Sequence, residues 1–298
     1  MDKPAGLTSH DVVSRVRRAV GEKRVGHAGT LDPAATGVLV VGIGQATKLL
    51  GLLTLDRKGY RATFALGSET TTDDAEGEVT AEAPVGPELL EPARAESELA
   101  RLVGECEQVP PRFSAVSVNG RRAYDAARAG EELELAARRV TIHAARLVEV
   151  RAPERSWVVD LDVSKGTYVR SIARDLGRSL GCLAHVSELR RTFSGPVALG
   201  ACVSLDELAE GGAELVHERA LDPAAVLGLP VRELALDEIA DVTNGRRIAP
   251  GALRDGRAPE PGERLALAFA GALVGIWRRE GARLVCDSNF PQGIEGVR

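Results

Sequence analysis

The sequence predicts an α+β fold: a mixed, mostly antiparallel sheet flanked by helices, followed by a small β-rich unit. Three observations carry that expectation. Apolar residues recur at helical spacing in two well-separated stretches, 8–20 and 169–180. Short β-rich runs lie between them at 60–66, 140–150 and 157–164, the last two close enough to pair. From about Val231 the texture changes to brief strand-like runs at 265–269, 272–277 and 283–286, separated by glycine-containing turns. At 298 residues the chain exceeds the common single-domain size. The expected division falls at 229–232 beside Pro230, giving one domain over 1–230 and a second over 231–298.

Each element has its own local reason. Thr8 caps the first helix and Asp11 stands three residues on, as in a capping box. Val12, Val13, Val16 and Val20 form the apolar face, and Gly21 stops the helix. Residues 25–37 have no period and many turn formers, which predicts a loop. The apolar run 38–43 predicts one buried strand, and 46–53 a short helix. Residues 67–96 are acidic and rich in Gly, Pro and Thr, which predicts an exposed connection before a short helix at 98–103. Pro110 and Pro111 break the chain. The segment 111–139 is irregular and basic, with a helical piece near 123–129. In 169–180, Ile172, Leu176 and Leu180 share one helical face. No internal repeat is visible.

Composition narrows the function. Hydrophobic residues make up 44% of the chain and aromatics only 3%, so Val, Leu and Ala must build the core and each Tyr merits attention. The four cysteines form no C-x-x-C pair, so neither a zinc site nor a redox motif is expected. No charged leader opens the sequence, and no apolar run approaches the roughly 20 residues of a membrane helix. A soluble cytoplasmic protein is expected. The net charge of -5 is unevenly spread. Residues 1–60 carry nine Lys and Arg against five Asp and Glu, and residues 111–200 carry fifteen against ten. Residues 61–110 carry three against twelve. Phosphate binding needs a local positive field rather than a positive average, so two basic blocks admit a nucleic-acid partner. The acidic 61–110 stretch is expected to face away from it.

Asp32 sits in Gly29-Thr30-Leu31-Asp32-Pro33. An Asp before Pro is ordinarily a turn residue. Here Gly26, Gly29 and Gly37 let the backbone take unusual angles and let a bulky ligand approach. A carboxylate fixed in such a loop suits a nucleophile or a general base. No local His–Ser pair or second motif carboxylate accompanies it, so hydrolase chemistry is not suggested. Gly42-Ile43-Gly44-Gln45-Ala46-Thr47 imitates a dinucleotide fingerprint but lacks its third Gly and a following acid, so no nucleotide cofactor is expected. Ser164-Lys165-Gly166-Thr167-Tyr168-Val169-Arg170 joins a strand end to a helix start, a junction that aims N–H groups and side chains at a ligand. A plain surface turn whose Arg pairs with a nearby acid is the alternative.

Taken together, these stretches resemble the motifs of the TruB family of tRNA pseudouridine synthases, in the family's order. They are Asp2-Lys3-Pro4-Ala5-Gly6-Leu7-Thr8-Ser9, Gly26-His27-Ala28-Gly29-Thr30-Leu31-Asp32-Pro33-Ala34-Ala35-Thr36-Gly37, Lys58-Gly59-Tyr60, Pro110-Pro111-Arg112-Phe113-Ser114-Ala115 and the 164–170 junction. The resemblance spans roughly 1–195, and 231–298 resembles a small PUA-type RNA-binding domain. It implies the pseudouridine synthase fold and isomerisation of uridine at position 55 in the T loop of tRNA.

By the same resemblance, Asp32 is the catalytic carboxylate. Tyr60 stacks on the target base, Tyr168 lies near the reacting carbons, and Arg170 pairs with Asp32. His27 holds the flipped-out loop, Leu189 lines the uridine pocket, and Lys3 and Pro4 support the site. Segment 111–139 would clamp RNA through Arg121 and Arg122, with Lys165 beside the pocket. The family's usual Lys in the Pro-Pro segment is replaced by Ser117. The sequence opens one residue before Asp-Lys-Pro, so no preceding extension is expected to assist. The isomerisation involves no redox change and no net hydrolysis, so no metal or organic cofactor is expected. The expected partner is the T-arm of tRNA, with no membrane, no obligatory protein partner and a monomeric state. The alternatives are a non-catalytic tRNA-binding or RNA-folding protein and a guide-RNA-dependent synthase. The intact Asp32, Tyr60, Tyr168 and Arg170 set favours catalysis over the first, and the absence of basic tails favours a stand-alone enzyme over the second.

Overall fold

The computed structural model describes residues 1–53, 57–114, 116–118, 120–129, 131 and 133–298. Helix Ser9–Val20 begins at Thr8, whose hydroxyl accepts from the Asp11 N–H while the Asp11 carboxylate accepts from the Thr8 N–H. It ends at Gly21 with φ of 67°. Val12, Val13 and Val16 are buried against Leu39, Leu205 and Leu208, each burial stabilising by about 1.5–3 kcal/mol.

The main sheet has eight strands. Its path runs from Asp2–Lys3 through Thr36–Val38, Ala184–Ser194, Lys58–Leu66, Ser156–Val163 and Arg138–Arg151 to Gly104–Gln108. The pairing of Ala184–Ser194 with Thr36–Val38 is parallel, and every other pairing in this sheet is antiparallel. Helix Val169–Leu180 covers one face, burying Ile172, Ala173 and Leu176 with Phe64, Trp157 and Val159.

Several local expectations give way to long-range pairing. Residues 25–37 are not one loop. Val25–Ala28 pairs antiparallel with Val40–Ile43, and Thr36–Val38 joins the main sheet. The run 38–43 is therefore two strands in two sheets, broken at the buried Leu39. Residues 44–53 form a 3₁₀ segment, Gly44–Leu49, running into a single α-helical turn, Leu50–Leu53. Residues 67–96 are not a plain exposed connection. They form the hairpin Ser68–Thr70 with Val79–Glu82 and then helix Pro92–Arg101, which starts earlier than the expected 98. Thr70, Asp74, Leu89 and Ala95 are buried.

The strands Val231–Glu233, Arg264–Phe269, Ala272–Glu280 and Arg283–Glu295 form a separate four-stranded sheet. Successive residues of Arg264–Phe269 bury opposite faces. Leu265 and Leu267 pack with Trp277 and Leu284, whereas Ala266 and Ala268 pack with Ile276, Phe290 and Leu49. The Gly42–Thr47 segment thus has a structural task. Gln45 Nε2 donates to Gln292 Oε1 at 3.2 Å, Lys48 Nζ donates to the Asn289 carbonyl at 3.2 Å, and Leu49 completes the apolar contact with this second sheet. Among the described residues no helix is long and apolar enough to cross a membrane.

Candidate active site

Two buried cations shape the loop that carries Asp32. Lys3 is fully buried, and its Nζ donates to the carbonyls of Pro4 at 2.9 Å, Leu7 at 2.6 Å and Pro33 at 2.9 Å. Three N–H groups meet three acceptors, which offsets the desolvation of the ammonium. Burial still pushes its pKa down, while the Asp32 charge pulls it back up. Arg191, also buried, donates to Val38 at 2.6 Å, Gly29 at 2.9 Å and Thr30 at 3.4 Å, in each case to the carbonyl. Gly37 permits this approach: at φ of 100° an added Cβ would lie 2.2 Å from the Arg191 carbonyl oxygen. Ser9 Oγ accepts from the Leu31 N–H at 2.9 Å and donates to its carbonyl at 3.1 Å. The Asp32 carbonyl accepts from the Ala35 N–H at 3.1 Å, closing a tight turn with Pro33 at its second position.

Arg170 enters from the first turn of helix Val169–Leu180. Tyr168 occupies the N-cap but makes no side-chain cap. Gln108 holds it instead, accepting from the Tyr168 N–H at 2.8 Å and donating to its carbonyl at 3.1 Å. The Arg170 side chain is only 6% exposed and bridges two carboxylates. Its Nη2 lies 2.9 Å from Asp32 Oδ2 and donates to the Phe113 carbonyl at 3.0 Å. Its Nη1 lies 3.3 Å from Asp74 Oδ2 and donates to the Thr72 carbonyl at 2.9 Å. Asp74 is steadied in turn by the Thr72 hydroxyl at 2.5 Å and the Glu76 N–H at 3.1 Å, both donating to Oδ1. One turn along the helix, Arg174 donates to Asp73 Oδ2 and to the Val109 carbonyl, each at 2.9 Å.

The Asp32 side chain keeps 38% exposure, so an Arg-held carboxylate faces a place a ligand can reach. Burial raises its pKa above the ordinary carboxylate value. Arg170 opposes that rise, Asp74 adds to it, and Lys3 opposes it more weakly. The net shift is upward. A carboxylate aimed by a guanidinium suits, in its ionised form, nucleophilic attack or stabilisation of developing positive charge.

Tyr60 is buried in one apolar cluster with Leu31 and Ala35, which flank Asp32, and with Val169, which precedes Arg170; Leu189 packs against that cluster. Tyr168 packs with Val116, Ala123 and Leu135 of the 111–139 segment. His27 stands on strand Val25–Ala28 opposite Val41. Its Nδ1 is buried without a hydrogen-bond partner among the described residues, and burial, reinforced by Arg191, pushes its pKa down. Lys165 is exposed in the turn before the helix. Arg121 is exposed and ion-paired with Glu131 at 2.8 Å. The Arg122 side chain and Ala115 lie outside the described residues.

Sequence reasoning missed Asp73, Asp74, Thr72, Arg174, Gln108 and Arg191. It set the acidic stretch apart from the basic surfaces, whereas Asp73 and Asp74 reach inward to neutralise Arg174 and Arg170. One signal was present: Arg170 and Arg174 stand four apart on the helix and so share a face that is largely buried. Among the described residues no group of three or more His, Cys, Asp or Glu is placed to hold a metal ion. A cavity of about 1060 Å³ lies elsewhere, between Leu208, Leu221, Gly42 and Ile294, away from Asp32.

Comparison with known proteins supplies a context for this geometry. Residues 17–169 match the family model for the N-terminal domain of TruB family pseudouridylate synthases, and residues 170–227 match that for the tRNA pseudouridylate synthase B C-terminal domain. The tRNA pseudouridine synthase B of Thermobifida fusca is 51% identical over 256 residues, covering 84% of this chain and 85% of its own length. That of an Arthrobacter species is 46% identical over 282 residues, covering 93% and 90%. Among solved structures, an H/ACA ribonucleoprotein bound to a substrate RNA containing 2′-deoxyuridine aligns with a TM-score of 0.68 at 22% identity, covering 100% of this chain and 86% of the other. The archaeal box H/ACA Nop10–Cbf5 complex aligns at 0.66 and 24%, covering 97% and 84%. At those identities the likeness is one of fold.

Proposed function

The chain belongs to the TruB family of pseudouridylate synthases, and on that premise we propose that it converts the uridine at position 55 in the T loop of tRNA to pseudouridine, with Asp32 as the catalytic carboxylate. The observation that carries the assignment of Asp32 is its 2.9 Å pairing with the nearly buried Arg170, while its own side chain stays accessible. The reaction breaks the bond between the sugar C1′ and the base N1, turns the detached uracil and joins C1′ to C5; C5 gives up one proton and N1 takes up one. Substrate and product have the same composition. A uridine must first leave its stack. Tyr60 offers a ring to replace some of the lost stacking, worth about 1–3 kcal/mol per base. Attack by one carboxylate, at either C1′ or C6, fits a group fixed beside the glycosidic bond. The enclosing walls, Tyr168 and Leu189 among them, keep the freed base next to its sugar, so re-addition is effectively intramolecular.

We read the protein as acting alone on tRNA. Its curated relatives are named for tRNA, whereas its fold neighbours were solved in ribonucleoprotein complexes. In the same reading the chain divides into a catalytic domain over 1–230 and an RNA-binding, PUA-like domain over 231–298. The start of the separate sheet at Val231 supports that division.

The test is incubation of an unmodified tRNA transcript with wild type and with Asp32→Asn, followed by pseudouridine mapping. Wild type should modify the T loop. Asp32→Asn should bind tRNA with nearly unchanged affinity and lose turnover by on the order of 10⁴-fold. Turnover by a sequence-verified Asp32→Asn protein, or no product from wild type, would refute the assignment.

A further inference from the structure

The chain has only three tyrosines, and the fold treats them differently. Tyr60 is buried and Tyr168 is half-buried in apolar clusters. Tyr124 is 44% exposed and is the one exposed aromatic side chain among the described residues. In a chain with 3% aromatics, an exposed ring is a face on which a planar ligand can stack.

Its position indicates which ligand. Tyr124 lies in the first turn of helix Ala123–Arg128, and that turn is pinned to the Pro-Pro segment. The Tyr124 N–H donates to the Ser114 carbonyl at 3.0 Å and the Ala123 N–H donates to the Val116 carbonyl at 2.7 Å. The neighbouring Phe113 carbonyl is the acceptor of Arg170 Nη2, the same nitrogen that holds Asp32. Phe113 meets Tyr124 edge to face, with centroids 6.1 Å apart and planes at 77°, which fixes the ring direction. Beneath the helix, Ala123 packs with Val116 and Leu135 in the cluster that also receives Tyr168. One small structural unit therefore presents Tyr168 inward and Tyr124 outward. Arg112 and Arg121 are exposed on the same segment.

We propose that Tyr124 is a second stacking site, taking an unpaired nucleobase that neighbours the target uridine in the RNA loop. The inference rests on the RNA-modifying reading above. When the target base leaves the loop, its neighbours lose a stacking partner, and a braced aromatic on the rim beside cationic side chains matches their needs. A ring serves any base, because every base has a π-face, while the basic residues track the phosphates. A docked protein is the competing occupant, but Tyr124 with its neighbour Phe113, on a segment that also exposes Arg112 and Arg121, offers too small an apolar area for one.

The experiment uses the full chain and a T-arm hairpin RNA with 2-aminopurine replacing, one at a time, the unpaired bases around the target. Wild type, Tyr124→Phe, Tyr124→Leu and Tyr124→Ala are compared for affinity, for quenching of the reporter and for single-turnover conversion at saturating RNA. One reporter position should be quenched by wild type and by Tyr124→Phe and released in the other two variants. Affinity should fall roughly 5- to 150-fold in Tyr124→Leu and Tyr124→Ala and stay within about twofold in Tyr124→Phe. The saturated rate should change little, which a general disruption of the site would not allow. Equal affinity and quenching in wild type and Tyr124→Leu would overturn the inference, and so would a loss in Tyr124→Phe as large as that in Tyr124→Leu. A wild type that binds the hairpin but makes no pseudouridine would instead overturn the function itself.

Discussion

Among the described residues, the first two hundred positions bury Lys3, Lys58, Asp74, Glu98, Arg170, Arg174 and Arg191, whereas the sheet built from Val231 onward buries Arg232 alone among charged side chains. The second sheet is filled by Leu265, Leu267, Leu273, Ile276, Trp277, Leu284 and Phe290, and keeps pairs such as Arg257–Glu263 and Arg264–Asp287 partly exposed. Apolar filling is the simpler route to stability, because replacing a buried ion pair by well-packed hydrophobic residues is often neutral or stabilising. Lys3, Arg170, Arg174 and Arg191 persist because each one holds a named backbone carbonyl or carboxylate. Lys3 and Arg191 hold the loop, and Arg170 holds Asp32 itself. The contrast teaches that one region of the molecule spends burial on stability and the other on placing one carboxylate.

The sharpest way to break that contrast is Arg170→Lys. An ammonium cannot span Asp32, Asp74 and the carbonyls of Thr72 and Phe113 from one planar fork. Turnover should fall by on the order of 10³-fold with RNA affinity little changed, as expected when an interaction with the reacting group is removed. Retention of most of the rate would mean that the pairing is not catalytic. Asp74→Asn should be milder, lowering the rate about tenfold through a looser guanidinium. It also carries a signed pH test. Asp74 raises the Asp32 pKa, so its removal should move the acid limb of the pH–rate profile to lower pH. In wild type that limb should lie above the ordinary carboxylate range, because the net shift of Asp32 is upward. The same sign applies to stability. A raised folded-state pKa means that stability falls as pH rises through the interval between the unfolded and folded values and stays lower above it. Asp32→Asn should therefore not lower the melting temperature at neutral pH.

How much of this was legible from sequence depends on where each instruction lies. Helix Ser9–Val20 was readable because its cap, apolar face and stop are all local. So was helix Val169–Leu180, whose expected bounds match the structure. The break at Leu39 was not, because the apolar run 38–43 says nothing about Val38 and Val40 joining different sheets. Remote partners decide that, Asp2–Lys3 for one strand and Val25–Ala28 for the other. The acidic segment misled for a similar reason. Asp74 is buried and Asp73 half-buried, each against an arginine about a hundred positions away that neutralises it. The site residues themselves were named through family resemblance, since no local pattern joins Asp32 to Arg170.

Two glycines extend the contrast to the backbone. Gly37 has φ of 100° and no room, with Arg191 backbone atoms 2.2–2.9 Å from an added Cβ. Gly281, in the turn between two strands of the second sheet, has φ of 58° and nothing within 4 Å. Gly281→Ala should cost only the left-handed penalty, about 1–2 kcal/mol. Gly37→Ala must also push apart the paired strands beside Asp32 and should cost at least about 3 kcal/mol and depress turnover. Denaturant titration of both variants measures this, and equal costs would show that the close approach at Gly37 can relax.

The smallest expected effects concern exposed charges, where the fold should barely respond and RNA binding should. Arg121 is more than half exposed and pairs with Glu131 on the surface of the proposed RNA-clamping segment. Such pairs contribute little to folding, so Arg121→Ala should leave the melting temperature almost unchanged. Binding is a different matter, since each phosphate that an arginine meets releases counterions. The logarithm of affinity should fall with the logarithm of salt by about 0.9 per phosphate on duplex and about 0.7 on single strands. The double change Arg121→Ala, Arg122→Ala should weaken tRNA binding at low salt and flatten that slope by roughly one such increment for each phosphate left unmet. Glu131 makes the test directional. If Arg121 leaves the ion pair to meet a phosphate, Glu131→Gln removes the competitor and should tighten binding without altering the saturated rate. Affinities across a salt series for wild type, the double variant and Glu131→Gln check both signs. A double variant with unchanged affinity and slope would place the segment away from RNA, leaving its arginines as solvated surface.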